Sequence, residues 1–302
     1  MAVAAIAGTL PAAASASTVS VDPDTAIAVF RSGPQVSDVT SLASTFAPWL
    51  PFSDGAQTLD AGAGCVAGTP VLCDGRDADI QLEGGDDRYR GWSWYAIRVS
   101  GGSGDDEIAA SGAYTVVSGD GGADTITVGS NGTARADGGS GDDRIRSTTG
   151  VYAFLNGGDG SDLIAGDRPF NTLSGGRGDD DVFVLGVEST VSGGPGRDTI
   201  VAYARPWGAR RTLDGDGDDD TIVGAAGPDT VSGGGGDDVI DVSGDADVDT
   251  VSCGSGTDIV YADAADAVAA DCEVRAAGPM PPSAAVDAAR ARYRAAFGVL
   301  PS

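Results

Sequence analysis

The chain contains no histidine, and that one absence removes serine-histidine and cysteine-histidine nucleophiles, histidine-zinc hydrolysis and imidazole general bases. Aromatic residues are only 6% of the 302 residues, too few for the large core of an ordinary globular domain. Positive charge is scarce. Against 45 Asp and Glu stand 18 Lys and Arg, and the formal net charge of −27 repels phosphate, which makes nucleic acid an unsuitable partner. Cysteine is limited to four residues, so a zinc centre has a poor ligand supply. Outside the first residues no stretch is long and apolar enough to span a bilayer.

Glycine, with 48 residues, is what the chain has in plenty, and it is organised with aspartate into a phrase that returns about every eighteen or nineteen residues. The phrase reads Gly101-Gly102-Ser103-Gly104-Asp105-Asp106-Glu107-Ile108. It recurs in register at Gly138, Gly141 and Asp143; at Gly157, Gly160 and Asp162; and at Gly175, Gly178 and Asp180. Further copies stand at Gly193, Gly196 and Asp198, and at Gly233, Gly236 and Asp238. Weaker copies carry Gly119, Gly122 and Asp124, the acid-enriched run Gly215 to Ile222 with Asp220, and Cys253 to Ile259 with Asp258, while Asp87 heads the series.

Each phrase fits a six-residue turn followed by a short strand, the glycines serving the crowded and positive-φ positions of the turn. The aliphatic residue after the aspartate is expected to point inward: Ile108, Ile126, Ile145, Ile164, Val182, Ile200, Ile222, Val239 and Ile259. A second strand follows about nine residues later, seen at Val116-Val117, Phe154-Leu155, Leu173, Val191, Leu213, Val231 and Val251. Two halves make one coil of a flattened solenoid, so the pivotal aspartates should stack on one edge. The opposite edge carries looser turns, such as Ala110 to Ala113 and Gly129 to Gly132, and only Gly224 to Asp229 partly repeats the phrase there. The expectation is therefore a one-sided column of ions. Carbonyls and carboxylates without nitrogen or sulfur suit a hard cation such as calcium, and magnesium fits less well because it prefers to keep its waters. A metal-free solenoid, with the aspartates merely capping turns, is the bland alternative.

The phrase resembles the repeat of the RTX (haemolysin-type) calcium-binding family, in the form found in secreted actinobacterial-type β-roll proteins. The resemblance implies an all-β fold, a parallel β-roll (β-solenoid) with about 18 residues per coil. It also implies several Ca2+ ions, each held between one turn and the next on the same edge, with the motif aspartate as side-chain ligand. At millimolar calcium and a dissociation constant of about 0.1 to 1 mM, each ion would add about 0.4 to 1.4 kcal/mol, enough in sum to govern folding.

The remainder divides by composition. Residues 1–16 are apolar and alanine-rich, with Ala14-Ser15-Ala16 suiting a signal-peptidase site although the positive n-region is missing, and they read as a signal peptide of a secreted, extracellular protein. Residues 17–80 are expected to form an irregular N-terminal β cap, with Phe46, Trp49, Leu50 and Phe52 as its core, ahead of a roll over 81–262. Cys65 with Cys73 and Cys253 with Cys272 form local pairs at the two ends of the array, which would close as disulfides in an oxidising compartment and stay free thiols in the cytosol. The second pair would close a C-terminal cap over 263–275.

The tail, 276–302, offers Ser283 as a helix cap, an alanine-rich run and Gly298 as a stop. It reads either as a frayed surface helix or, through Arg290, Arg292 and Arg294, as a helix that docks on acidic groups. Two interruptions, Arg90 to Tyr95 and Ala204 to Arg211, place aromatics and arginines on the looser edge, where they pack on neighbours or bind a sugar or anionic partner. No separate catalytic domain is visible. The reading is a secreted, non-catalytic calcium-binding structural or interaction module, with a cell-surface polysaccharide or protein as the partner class. The alternatives are a calcium-dependent polysaccharide lyase or epimerase on a parallel β-helix and a cell-surface adhesin.

Overall fold

In the computed structural model the described residues are 18–21, 27–31, 39–41, 49–54, 60–61, 65–66, 71–74, 77–82, 84–92, 95–150, 152–203, 210–276 and 278–300, with side chains described from residue 79 onward apart from 92. The signal-like start, Phe46 and the 204–209 stretch lie outside them, as do the side chains of Trp49, Leu50 and Phe52. The described residues are mostly strands in parallel β-solenoid coils of about 19 residues each, with one helix among them, near the C-terminus. It divides into two compact units, residues 1–138 and 139–302.

In the first unit, Asp77–Gln81, Ala96–Ser103 and the Tyr114 to Gly121 half of Glu107–Gly121 stack as parallel rungs. Arg88–Trp92 and Glu107 onward make the facing sheet. The 17–80 region does not simply cover this stack. Ile27–Arg31 pairs parallel with Asp77–Gln81 and Val39–Ser41 pairs parallel with Arg88–Trp92, so both extend the ladders by a rung. Thr18–Val21 then pairs antiparallel on Ile27–Arg31. Cys65 stands directly opposite Cys73 in an antiparallel pair, and their side chains lie outside the described residues.

The second unit repeats the two-sheet coil with little irregularity. One sheet stacks Ile145, Ile164, Val182, Ile200, Ile222 and Ile240 in register, and the other stacks Leu155, Leu173, Val191, Leu213, Val231 and Val251. All of these side chains are buried, so the core is a thin double file of aliphatics along the coil axis. Two expected inward positions are shifted by one residue. Ile240 and Val260 face the core, while Val239 and Ile259 stand half-buried on the outer face. Strand alternation counted from the aspartate places the second residue inward, and here both candidates are aliphatic. Cys253 and Cys272 form a disulfide.

The C-terminal helix, Ala284–Phe297, starts on Ser283, whose hydroxyl accepts from the Val286 N–H, and stops at Gly298, whose N–H donates to Arg294 O at a φ of 89°. It is not a frayed surface helix. Val286, Ala289 and Tyr293 are buried against the outward-facing Leu163, Ala165, Phe183, Leu185 and Val201. The Phe183 and Tyr293 ring centres lie 4.9 Å apart. Arg292 grips the buried carboxylate of Asp181, with Nη2 at 2.7 Å from Oδ1. Arg290 donates to the Tyr203 hydroxyl at 3.3 Å. The coils under the helix are buried on both strand faces for this reason, and Asp181 is tolerated there because a guanidinium meets it.

Candidate metal centre

On one edge of each unit the pivotal aspartates form a continuous ladder. Within the first unit, the N–H of Asp87 donates to Asp106 Oδ1 at 2.7 Å and that of Asp106 to Asp124 Oδ1 at 2.8 Å. In the second unit the chain runs from Asp143 to Asp162, Asp180, Asp198, Asp220, Asp238 and Asp258, each N–H donating to the next aspartate's Oδ1 at 2.7 to 2.9 Å. Glu273 closes it by accepting from the Asp258 N–H at 3.1 Å. One carboxylate oxygen per rung therefore caps the preceding coil.

The other oxygen is left over. Oδ2 of Asp106, Asp162, Asp180, Asp198, Asp220, Asp238 and Asp258 is buried and accepts no hydrogen bond. Such an orphaned acceptor costs free energy unless a cation or donor meets it. The first glycine of each phrase faces it. A Cβ placed on Gly157 would lie 2.2 Å from Asp162 Oδ2 and 2.3 Å from Gly175 O of the next coil, and Gly101, Gly119, Gly175, Gly193, Gly215 and Gly233 repeat the arrangement with their own aspartates. A carboxylate oxygen and a carbonyl oxygen thus converge on a cradle that any side chain would fill.

The glycine at the fourth position of the phrase brings further oxygens. Gly178, at φ +125°, would put a Cβ 1.9 Å from Gly160 O, and Gly104, Gly122, Gly160, Gly196 and Gly236 crowd the carbonyl one coil back in the same way; Gly141 shares the positive φ. Rows of carbonyls therefore run beside the carboxylates. Of the remaining expected site residues, Gly138 O converges with Asp124 Oδ2 on Gly119 in the first unit. Asp216 and Asp218 take glycine positions in the acid-enriched turn at φ of 73° and 75°, a conformation aspartate tolerates better than most residues. Among the described residues no three acidic side chains gather at one point. The donor set is one motif carboxylate per rung and several carbonyls, which is oxygen-only and flexible, as calcium requires and zinc does not.

Burial sets the electrostatics. Desolvation pushes the carboxyls of Asp106, Asp124 and Asp238 up to about 6 and those of Asp162, Asp180 and Asp198 up to about 7, with backbone hydrogen bonds opposing and neighbouring aspartates adding to the rise. Asp220 is pushed furthest, to about 9, by burial and by Asp198, Asp238 and Asp216. The ladder carries an uncompensated desolvation cost to which repulsion adds, greatest at Asp220.

An exposed carboxylate one residue earlier was not foreseen as a structural element. Asp86, Asp105, Asp142, Asp179, Asp219 and Asp237 each accept, through Oδ1, the N–H at the same phrase position of the following coil. Turns that carry both are thus tied backward by the buried aspartate and forward by the exposed one.

Aspartate rungs, unlike the full glycine-aspartate phrase, are not confined to that edge. On the opposite edge of the second unit, Asp229 Oδ1 accepts from the Arg211 N–H at 2.9 Å, Asp249 Oδ1 from the Asp229 N–H at 2.8 Å and Asp266 Oδ1 from the Asp249 N–H at 3.2 Å. A second aspartate ladder therefore exists where most of the phrase's glycines have been lost. The sequence signal for it was Asp229-Thr230-Val231 repeated as Asp249-Thr250-Val251. Arg211, expected in a loop, is instead fully buried on this edge.

Residues 156–185 and 214–249 match the RTX calcium-binding nonapeptide repeat family in four copies. Those stretches contain Gly157 to Asp180 and Asp220 to Asp238 of the second unit's ladder, so over these residues the repeat read from the sequence is similar to the RTX calcium-binding nonapeptide repeat. No curated protein and no solved structure matches the chain.

Proposed function

We propose that the protein is a secreted, non-catalytic scaffold whose roll is set by calcium on its glycine-aspartate edge. The observation that carries this reading is the file of buried Oδ2 atoms without hydrogen-bond partners at Asp106, Asp162, Asp180, Asp198, Asp220 and Asp238, each aimed at a glycine cradle beside a carbonyl of the next coil. Calcium would supply positive charge between rungs and accept six to eight oxygens at loose geometry. The motif aspartates and the turn carbonyls would hold it, and the pressure for a cation is highest at Asp220. Export is supported by the signal-like start and by the Cys253–Cys272 disulfide, which belongs to an oxidising compartment. Among the described residues no helix is long and apolar enough to cross a membrane. Equilibrium dialysis against calcium tests the reading: uptake of several ions, reduced by Asp162→Asn with Asp180→Asn, supports it, and no uptake refutes it. Absence of unsaturated products from a uronate polymer separates the scaffold from the lyase alternative.

An interaction role has its own observation. In the second unit Tyr152, Phe154 and Phe170 are exposed, with the Tyr152 and Phe170 rings 5.5 Å apart, in a chain poor in aromatics. In register beyond them stand Thr172, Thr190, Thr212, Thr230 and Thr250, all exposed on the same sheet. Aromatic faces and a hydroxyl file with rungs about 4.8 Å apart suit a neutral polysaccharide lying along the strands' stacking direction. Retention on insoluble neutral glucan, lost in Tyr152→Ala with Phe170→Ala, is the expected result.

A further inference from the structure

The second edge of the unit 139–302 presents the same problem as the first, a buried carboxylate among turn carbonyls, and meets it differently. Arg211 is fully buried, and so is the side chain of Asp229 beside it. From this position the guanidinium donates to Tyr203 O at 2.9 Å, to Gly186 O and Ala226 O at 3.4 Å each, and to both oxygens of Asp229 at 3.5 Å. Gly186 belongs to the coil before Arg211 and Ala226 to the turn after it, so the cation draws on consecutive turns. Asp229 Oδ1 also accepts the Arg211 N–H, as a first-edge aspartate accepts the N–H of the rung before it.

We propose that this turn is a cation cradle whose occupant is the protein's own guanidinium, and that Arg211 makes its rung independent of metal. The oxygens around it are those a calcium site uses: carbonyls from successive turns and one carboxylate with a backbone-capping oxygen. The guanidinium is planar, always charged and rich in donors, so it satisfies several acceptors at once without leaving the cradle. The neighbouring positions of the same edge follow the same logic with smaller donors. Asn171 donates through Nδ2 to Arg168 O at 2.5 Å, and Ser189 donates through its hydroxyl to Val187 O at 3.2 Å. Side-chain donors, and not ions, therefore fill this part of the edge. The residue at the Arg211 position specifies whether the rung takes metal.

The proposal rests on the calcium reading of the first edge, and its test keeps the two apart. Bound calcium is counted by native mass spectrometry on the wild-type chain and on Arg211→Ala, with thermal melts in calcium and in EDTA. The expected result is one additional ion per chain in Arg211→Ala and a melting loss that is large in EDTA and mostly recovered in calcium. Methylguanidinium, but not methylurea, should raise the EDTA melt of the variant. An unchanged ion count, with a melting loss equal in calcium and EDTA and no methylguanidinium rescue, overturns the proposal. If the variant does not refold in either buffer, refolding with methylguanidinium against methylurea decides: selective recovery supports the tethered cation, and none overturns it. A wild-type chain that takes up no calcium sinks the first-edge reading alone, because rescue by methylguanidinium in EDTA does not depend on metal.

Discussion

The two edges of the second unit carry the same element, an aspartate whose Oδ1 caps the preceding rung, yet differ in what meets its second oxygen. On the glycine-aspartate edge Oδ2 of Asp162, Asp180, Asp198, Asp220 and Asp238 has no hydrogen-bond partner. On the other edge Asp229 faces the guanidinium of Arg211 and also accepts from the Ala225 N–H. A stack of coils can thus be neutralised from outside, by an ion it must acquire, or from inside, by a side chain it already owns. Coupling to the surroundings belongs to the first edge.

The largest expected effect that sharpens this contrast is on the internally neutralised side. Asp229→Asn strands a buried Arg211 without its counter-charge and should cost about 3 to 5 kcal/mol in urea unfolding, with the same loss in calcium and in chelator. A loss that calcium repairs would break the contrast.

Next in size is the pH response of the metal-free chain. First-edge carboxyls titrate higher in the folded state, about 6 to 9, than the ordinary 3.8 of an unfolded aspartate. A raised folded value gives stability that is complete below the unfolded value and lost as pH rises through the folded one. In EDTA the roll should therefore be most stable below about pH 4 and weaken progressively as pH rises from there to about pH 9, as followed by thermal melting at each pH. Excess calcium should flatten or reverse the trend, because ion binding needs the charged carboxylate.

A single first-edge substitution should change sign with the metal. Asp180→Asn keeps an oxygen for the Asp162 N–H but removes the buried charge, so in chelator it should be neutral or stabilising by about 1 kcal/mol. In calcium the same change removes a ligand and should destabilise by a similar amount. Paired melts read both arms. The smallest effect is expected at an exposed pair on the first edge itself: Arg197 and Asp179 lie 3.0 Å apart with most of both side chains exposed, and Arg197→Ala should change unfolding by less than about 1 kcal/mol in either buffer.

Much of this molecule was readable because its phrase is regular. The turn glycines, the pivotal aspartates from Asp87 to Asp258 and the aliphatic files follow from period alone, since each coil must present the same side chains to the same neighbours. What period could not settle were positions where two residues fit. At Asp238-Val239-Ile240 and Asp258-Ile259-Val260 hydrophobicity does not choose between neighbours, and only alternation from the aspartate does. The second ladder was hidden because Asp249 keeps only Gly244 of the phrase's glycines and Asp266 keeps none. Arg211 looked like part of an arginine-rich loop, although it precedes Thr212-Leu213 as Asn171 precedes Thr172-Leu173 and Ser189 precedes Thr190-Val191. The helix caps were legible at Ser283 and Gly298. Its docking was not, because that depends on Leu163 and Phe183 facing outward on coils far away in sequence.

The most direct measurement is a calcium titration of the purified chain at neutral pH, followed by far-ultraviolet circular dichroism and reversed with EDTA. Growth of the β signal over millimolar calcium and its collapse in chelator is the expected result. A chain as ordered in EDTA as in calcium would contradict the account, since the buried carboxylate file would then be stable with nothing to neutralise it.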